Sequence, residues 1–153
     1  MNKMGVLGIG HILAIIVLPI TIILYIINSY FFRALKFSGN LFLILGIIMI
    51  LIGTAIIYFS VLELQSAFKF GELVTDGLYA HTRNPLYAGW ILFIIPGIVL
   101  ILGLIFLIPV PFIAYIIFRI LIKDEEKYLE DAYGEKYIEY KKRVNMLIPK
   151  IKK

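Results

Sequence analysis

Three stretches of this chain are apolar over lengths that leave little choice of fold. Gly5 to Phe32 is interrupted only by His11, Thr21, Asn28 and Ser29, Leu41 to Leu62 only by Thr54 and Ser60, and Leu86 to Ile122 carries Arg119 as its one charged residue. A helix crosses the hydrocarbon core of a bilayer with about 20 residues, so the first two stretches each read as one span. The third, 37 residues long, would reach about 55 Å as a single helix against a core of about 30 Å. It must fold back. Gly103 and the pair Pro109/Pro111 are the available breakers, which predicts a helical hairpin of Leu86 to about Leu102 and about Phe106 to Ile122. The expectation is an all-α polytopic membrane protein, one domain over 1–153, with spans near 5–32, 41–62, 86–102 and 106–122. A connector covers 63–85, and a cytosolic amphipathic helix follows over 123–144. The length of the first run argues against a secretory signal peptide.

Composition narrows the function classes. The chain is 61% hydrophobic and has no cysteine, which removes disulfides, a thiol nucleophile and Cys-ligated zinc. His11 and His81 are too few for an ordinary His-based centre, so no metal is expected. The net charge of +5 lies beside membrane spans and forms no groove with interleaved aromatics. Lipid headgroups are the expected partner, not nucleic acid. With four spans, Lys3, Lys69, Arg83 and the nine Lys/Arg from Lys123 onward fall on one side, against Arg33 and Lys36 on the other. The positive-inside rule makes the first side cytoplasmic. The connector and the C-terminal segment then face each other across one membrane surface. Gly46 and Gly53, seven apart on one face, suit close helix packing, and His11 is read as a packing or interfacial group.

Chemistry concentrates in Leu73 to Trp90, LVTDGLYAHTRNPLYAGW. Thr75-Asp76-Gly77 is turn chemistry, and Pro85 suits the first turn of a helix because its missing N–H would be unpaired there anyway. The helix it opens therefore presents free N–H groups and a positive dipole end beside Arg83. In the C-terminal segment Arg119, Ile122, Glu126, Leu129, Tyr133, Tyr137, Tyr140 and Val144 recur at steps of three or four, one stripe of an α-helix. Gly134 costs such a helix about 1 kcal/mol and predicts a bend or break. Glu125 and Glu126 at the membrane end of this helix, opposite Arg83 and several tyrosines, would suit a small zwitterion. Its carboxylate would go to Arg83 or the N–H groups near Leu86, and its ammonium or sulfonium to Glu125 and tyrosine faces. An interfacial Tyr/Arg belt with solvated glutamates reads the same residues without a ligand. Soluble-enzyme signatures such as GxGxxG after a strand, a P-loop or GxSxG are missing.

These two segments resemble the isoprenylcysteine carboxyl methyltransferases and their phospholipid-methylating relatives. LVTDGLYAHTRNPLYAGW is similar to that family's L-V-T-x-G-x-Y-x-x-x-R-H-P-x-Y-x-G signature, and DEEKYLEDAYGEKYIEYKKRV to its E-E-x-x-L, aromatic-Gly, Y-x-x-Y and basic-Val ending. The resemblance covers roughly Gln65 to Pro149. It implies a membrane-embedded methyltransferase that uses S-adenosyl-L-methionine from the cytosol and a lipidic acceptor from the bilayer. By position it implies a cofactor pocket lined by Gln65, Gly71, Glu72, Leu73, Val74, Tyr79, Asn84, Pro85, Leu86, Tyr87 and Glu125. The helical stripe favours Glu126 instead of Glu125, and both stay candidates. Arg83 and Arg119 are the expected catalytic cations, orienting an anionic acceptor. Asn84 departs from the family's usual His and cannot titrate near neutrality, which argues against a role for that position as a base. Of the acceptors that suit a lipid-open pocket, a prenylcysteine-type carboxylate is favoured by Arg119, with a phospholipid amine or a small thiol or amine as alternatives. An NADPH-dependent membrane reductase and a non-enzymatic structural or transport protein are the competing readings.

Overall fold

The computed structural model describes residues 8–148; side chains 68–70 are outside the description. Five helices are numbered here: α1 Gly10–Phe31, α2 Asn40–Phe70, α3 Pro85–Leu102, α4 Val110–Tyr133 and α5 Glu135–Arg143. Short 3-10 turns lie at Gly77–Ala80 and Ile105–Leu107, and no described residue belongs to a named strand. Four of the helical segments are long and apolar enough to cross a membrane. The protein is an all-α polytopic membrane protein, as the apolar runs demand.

Helix α2 packs along α3, and α1 packs along α4 and the turn before it. The outward faces of α1 and α2 are left uncovered, with Ile15 68% and Leu51 65% exposed, the surface that lipid tails solvate. Two hydroxyls inside these spans bond within their own helix. Thr21 donates to Val17 O at 2.8 Å and Ser60 to Ile56 O at 2.6 Å, as hydroxyls do where no water is present. The α2–α3 seam depends on glycine: a Cβ on Gly46 would meet Gly97 O at 2.7 Å, and one on Gly53 would meet Gly89 O at 2.8 Å. Small residues let the backbones touch where apolar side chains gain nothing over lipid.

The predicted fold-back occurs at Gly103, whose φ of +64° ends α3 in the left-handed region. Two boundaries differ from expectation. Helix α2 does not stop near Leu62 but continues to Phe70, because polar residues from Glu63 onward cost a helix nothing once it leaves the apolar layer. It ends in a Schellman turn, with Gly71 at φ +68° and Glu72 N donating to Ala67 O at 3.1 Å. Likewise the fourth span and the first part of the expected C-terminal helix are one helix, α4, uninterrupted to Tyr133. The break comes at Gly134, beyond which α5 turns back, as the glycine predicts. In α3, residues Gly89–Ile94 form a π-helical stretch directly after Ala88, a local widening that the residue pattern does not announce.

Candidate functional site

The end of the bundle where α2 and α4 emerge is roofed by the loop 71–84, and the loop is gripped by the C-terminal segment. Tyr140 Oη donates to Tyr79 O at 2.7 Å, Thr82 Oγ1 and Asn84 Nδ2 donate to Met146 O at 3.1 and 2.9 Å, and Arg83 N donates to Asn145 O at 2.9 Å. From the other side Glu63 of α2 accepts the Leu78 N–H on both carboxylate oxygens, at 3.2 and 3.1 Å. Gly77, at φ +57°, lies so close to that carboxylate that any Cβ there would collide with it. Burial pushes the hydroxyls of Tyr79, Tyr137 and Tyr140 well above the usual phenol range, so all three remain protonated donors at physiological pH.

Arg83 is the centre of this network. Its Nη2 meets Glu126 Oε1 at 2.6 Å, its Nη1 donates to Lys141 O at 2.8 Å, and both members of the ion pair are only 8% exposed at their side chains. Lys141 Nζ adds contacts to Glu126 at 2.7 Å and Glu130 at 2.8 Å, and these hydrogen bonds raise the affinity of its ammonium for its proton. The Nε of Arg83 is buried and makes no hydrogen bond among the described residues.

Beneath the roof lies a cavity of about 160 Å³. Glu72 and the signature segment, with Leu73, Val74, Tyr79, Arg83, Asn84, Leu86 and Tyr87, form one part of its wall, and α4 contributes Glu125. Glu125 Oε2 accepts the Tyr87 hydroxyl and the Ile9 N–H, each at 3.1 Å, so it also satisfies a backbone donor at the start of α1. Its Oε1 makes no hydrogen bond among the described residues.

The remaining sequence candidates lie outside the cavity wall. Gln65 is exposed on α2, Gly71 forms the end of that helix, Pro85 is buried behind the wall, and Glu126 is buried in the ion pair with Arg83. Arg119 is exposed on α4 with its guanidinium 5.9 Å from the Tyr115 ring centre. Asn84 lines the cavity while its amide is held by Met146. Several wall residues escaped sequence reasoning: Gly8, Leu64, Ala67, Tyr128, Leu129, Ala132 and Tyr133. Those on α4 follow Glu125 at steps of three and four, a periodicity that could have found them once Glu125 was chosen. Gly8 has no such signal, because only the packing of α1 on α4 brings it there.

The lining suits a ligand with a flat apolar portion and a cation: aliphatic Leu64, Leu73, Val74, Leu86 and Leu129, the rings of Tyr79, Tyr128 and Tyr133, and the carboxylates of Glu72 and Glu125. Among the described residues no cluster of His, Asp and Glu is arranged to hold a metal ion.

Comparison with known proteins agrees with the residue pattern. Residues 40–131 match the sequence model of the isoprenylcysteine carboxyl methyltransferase family. The protein-S-isoprenylcysteine O-methyltransferase of Dictyostelium discoideum is 33% identical over 141 residues, covering 88% of this chain and 60% of the relative. That of Xenopus laevis is 32% identical over 118 residues, covering 71% and 41%. The methanethiol S-methyltransferase of Crocosphaera subtropica is 30% identical over 126 residues, covering 71% and 45%. The chain thus spans between two fifths and three fifths of the length of these three relatives.

Proposed function

The chain belongs to the isoprenylcysteine carboxyl methyltransferase family, and we propose that its cavity binds S-adenosyl-L-methionine on the cytoplasmic side of the membrane and that methyl transfer to a lipidic acceptor takes place there. The observation that carries this reading is the division of labour between the paired glutamates. Glu126 neutralises Arg83, while Glu125 keeps one oxygen without a hydrogen bond among the described residues, beside the tyrosine rings of the cavity. An anionic oxygen and aromatic faces are the partners a compact cation requires.

When bound, the cofactor would supply an already activated methyl group, so the protein's task is alignment and exclusion of water. Glu125 and Glu72 would hold its cationic parts, and Leu73, Val74, Tyr79, Leu86 and Leu129 its apolar surface. Arg83 borders the cavity, and its buried Nε makes no hydrogen bond among the described residues. A prenylcysteine-type acceptor is supported by the names of the Dictyostelium discoideum and Xenopus laevis relatives, and a catalytic part for Arg83 by its place on the cavity wall. Arg119 would meet an acceptor group only from the outer side of α4. The name of the Crocosphaera subtropica relative supports a small thiol as the second acceptor.

Isothermal titration of the purified chain in detergent against S-adenosylhomocysteine and NADPH tests the reading, followed by assay of labelled methyl transfer to a farnesylated cysteine or to methanethiol. Binding of the homocysteine compound alone is expected, weakened at least about tenfold by Glu125→Ala, the equivalent of about 1.4 kcal/mol. Binding of NADPH instead, or of neither compound, would overturn it.

A further inference from the structure

Arg119, Lys123 and Lys127 follow one another at four-residue steps along α4, which keeps them within a sector of about 80° on one side of the helix. All three are exposed. The ion pairs found among the described residues are Arg83–Glu126, Lys141–Glu126 and Lys141–Glu130. The exposed acids of the same helix, Asp124 and Asp131, therefore pair with none of the three cations. The same sector continues toward the start of α4 as Phe112 and Ile116, 68% and 58% exposed. The cavity and core lie on the opposite side of the helix, where Glu125 and Leu129 line the ligand site and Ala114, Phe118 and Ile122 are at most 1% exposed.

Arg119 lies inside the apolar segment Ile105–Tyr133 that is long enough to span the membrane. A cation exposed on the outside of such a segment is costly unless it reaches an anion at the headgroup level. An exposed apolar strip that passes, over about 12 Å of helix, into three cations with no ion pair among the described residues matches the order of an anionic phospholipid, acyl chain first and phosphate second. We propose that this face of α4 binds an anionic phospholipid, its phosphate held by Arg119, Lys123 and Lys127 and an acyl chain laid along Ile116 and Phe112. The bound headgroup fixes how deep α4 sits, and with it the level at which Glu125 meets the membrane surface. The site is separate from the cavity and does not depend on what the cavity binds.

The test uses the full chain in neutral detergent and follows its thermal midpoint during titration with phosphatidylglycerol or phosphatidylcholine of the same acyl chains. Phosphatidylglycerol is expected to raise the midpoint saturably and phosphatidylcholine much less. Inorganic phosphate alone is expected to do nothing, because the acyl strip stays empty. The variant R119Q/K123Q/K127Q should bind phosphatidylglycerol at least about tenfold more weakly. The variant K136Q/K142Q/R143Q, which removes the same charge from the exposed side of α5, should keep the response. Should the triple change on α4 prevent folding, K123Q alone and lipid counting by native mass spectrometry of the unaltered chain give the same discrimination. Equal responses to the two lipids, an undiminished response in the α4 variants, or an equal loss in the α5 variant would each overturn the proposal.

Discussion

Where α1 turns into α2, most of the polar bonds join backbone to backbone: Phe37 N donates to Gly103 O at 2.9 Å, and Leu35 N to Phe32 O at 2.9 Å. Two side chains are the exceptions: Arg33 Nε donates to Ser29 O at 2.7 Å, and Asn28, wholly buried, accepts Phe106 N at 3.1 Å and donates to Phe32 O and Leu35 O at 3.3 and 3.4 Å. The opposite end is built from side chains and charge. Arg83, Glu126, Lys141, Glu63, Thr82, Asn84 and Tyr140 tie together segments separated by 15 to 64 positions in the chain. Backbone bonds close a turn in the same way whatever the residues, whereas a network of named side chains gives a cavity with particular donors in particular places. One end closes the bundle, and the other shapes a site.

The largest expected effect lies in that network. Glu126→Ala leaves the Arg83 guanidinium buried without its counter-ion, which should cost about 3–5 kcal/mol. A marked fall in the thermal midpoint in detergent should accompany loss of S-adenosylhomocysteine binding. Stability equal to that of the unaltered chain would mean the pair contributes nothing to the roof. At the other end, Asn28→Leu strands the Phe106 N–H and leaves the Phe32 and Leu35 carbonyls with only their backbone donors, at a cost of about 1–3 kcal/mol. There the comparison makes a sharper demand: stability should drop while the folded fraction binds ligand as before, as read by titration well below the midpoint. A parallel loss of affinity would show that the two ends are coupled. Smallest is Glu63→Ala, which removes a partly exposed cap from Leu78 N–H at a cost of about 1 kcal/mol. Hydrogen exchange at the Leu78 amide should accelerate, and Glu63→Gln should restore most of the protection because an amide oxygen still accepts.

Much of the architecture was legible because each piece of it is local. The apolar runs gave the four spans, Gly103 and Gly134 the two breaks, and the spacing of Gly46 and Gly53 the close seam. The end of α2 was misjudged by about two turns because a helix that leaves the membrane meets no obstacle in Glu63 or Gln65, and only the left-handed conformation of Gly71 stops it. The candidate site was legible as a neighbourhood only, in that Glu72 to Val74, Tyr79, Arg83 and Glu125 all fall on the cavity wall. The contribution of Leu64 and Ala67 was not legible, since it follows from the unexpected length of α2. Nor was that of Gly8, which depends on α1 meeting α4.

Hydrophobic length and helix-breaking residues act within one or two turns, so the sequence alone determined an integral membrane bundle of four spanning helices and the order in which they are joined. Adjacent residues on one helix differ by about 100° in direction, and which direction faces a partner is decided only when distant segments pack. Tertiary structure therefore assigned Glu126 to Arg83, turned Glu125 toward the cavity, and left Arg119 on the outer face of α4.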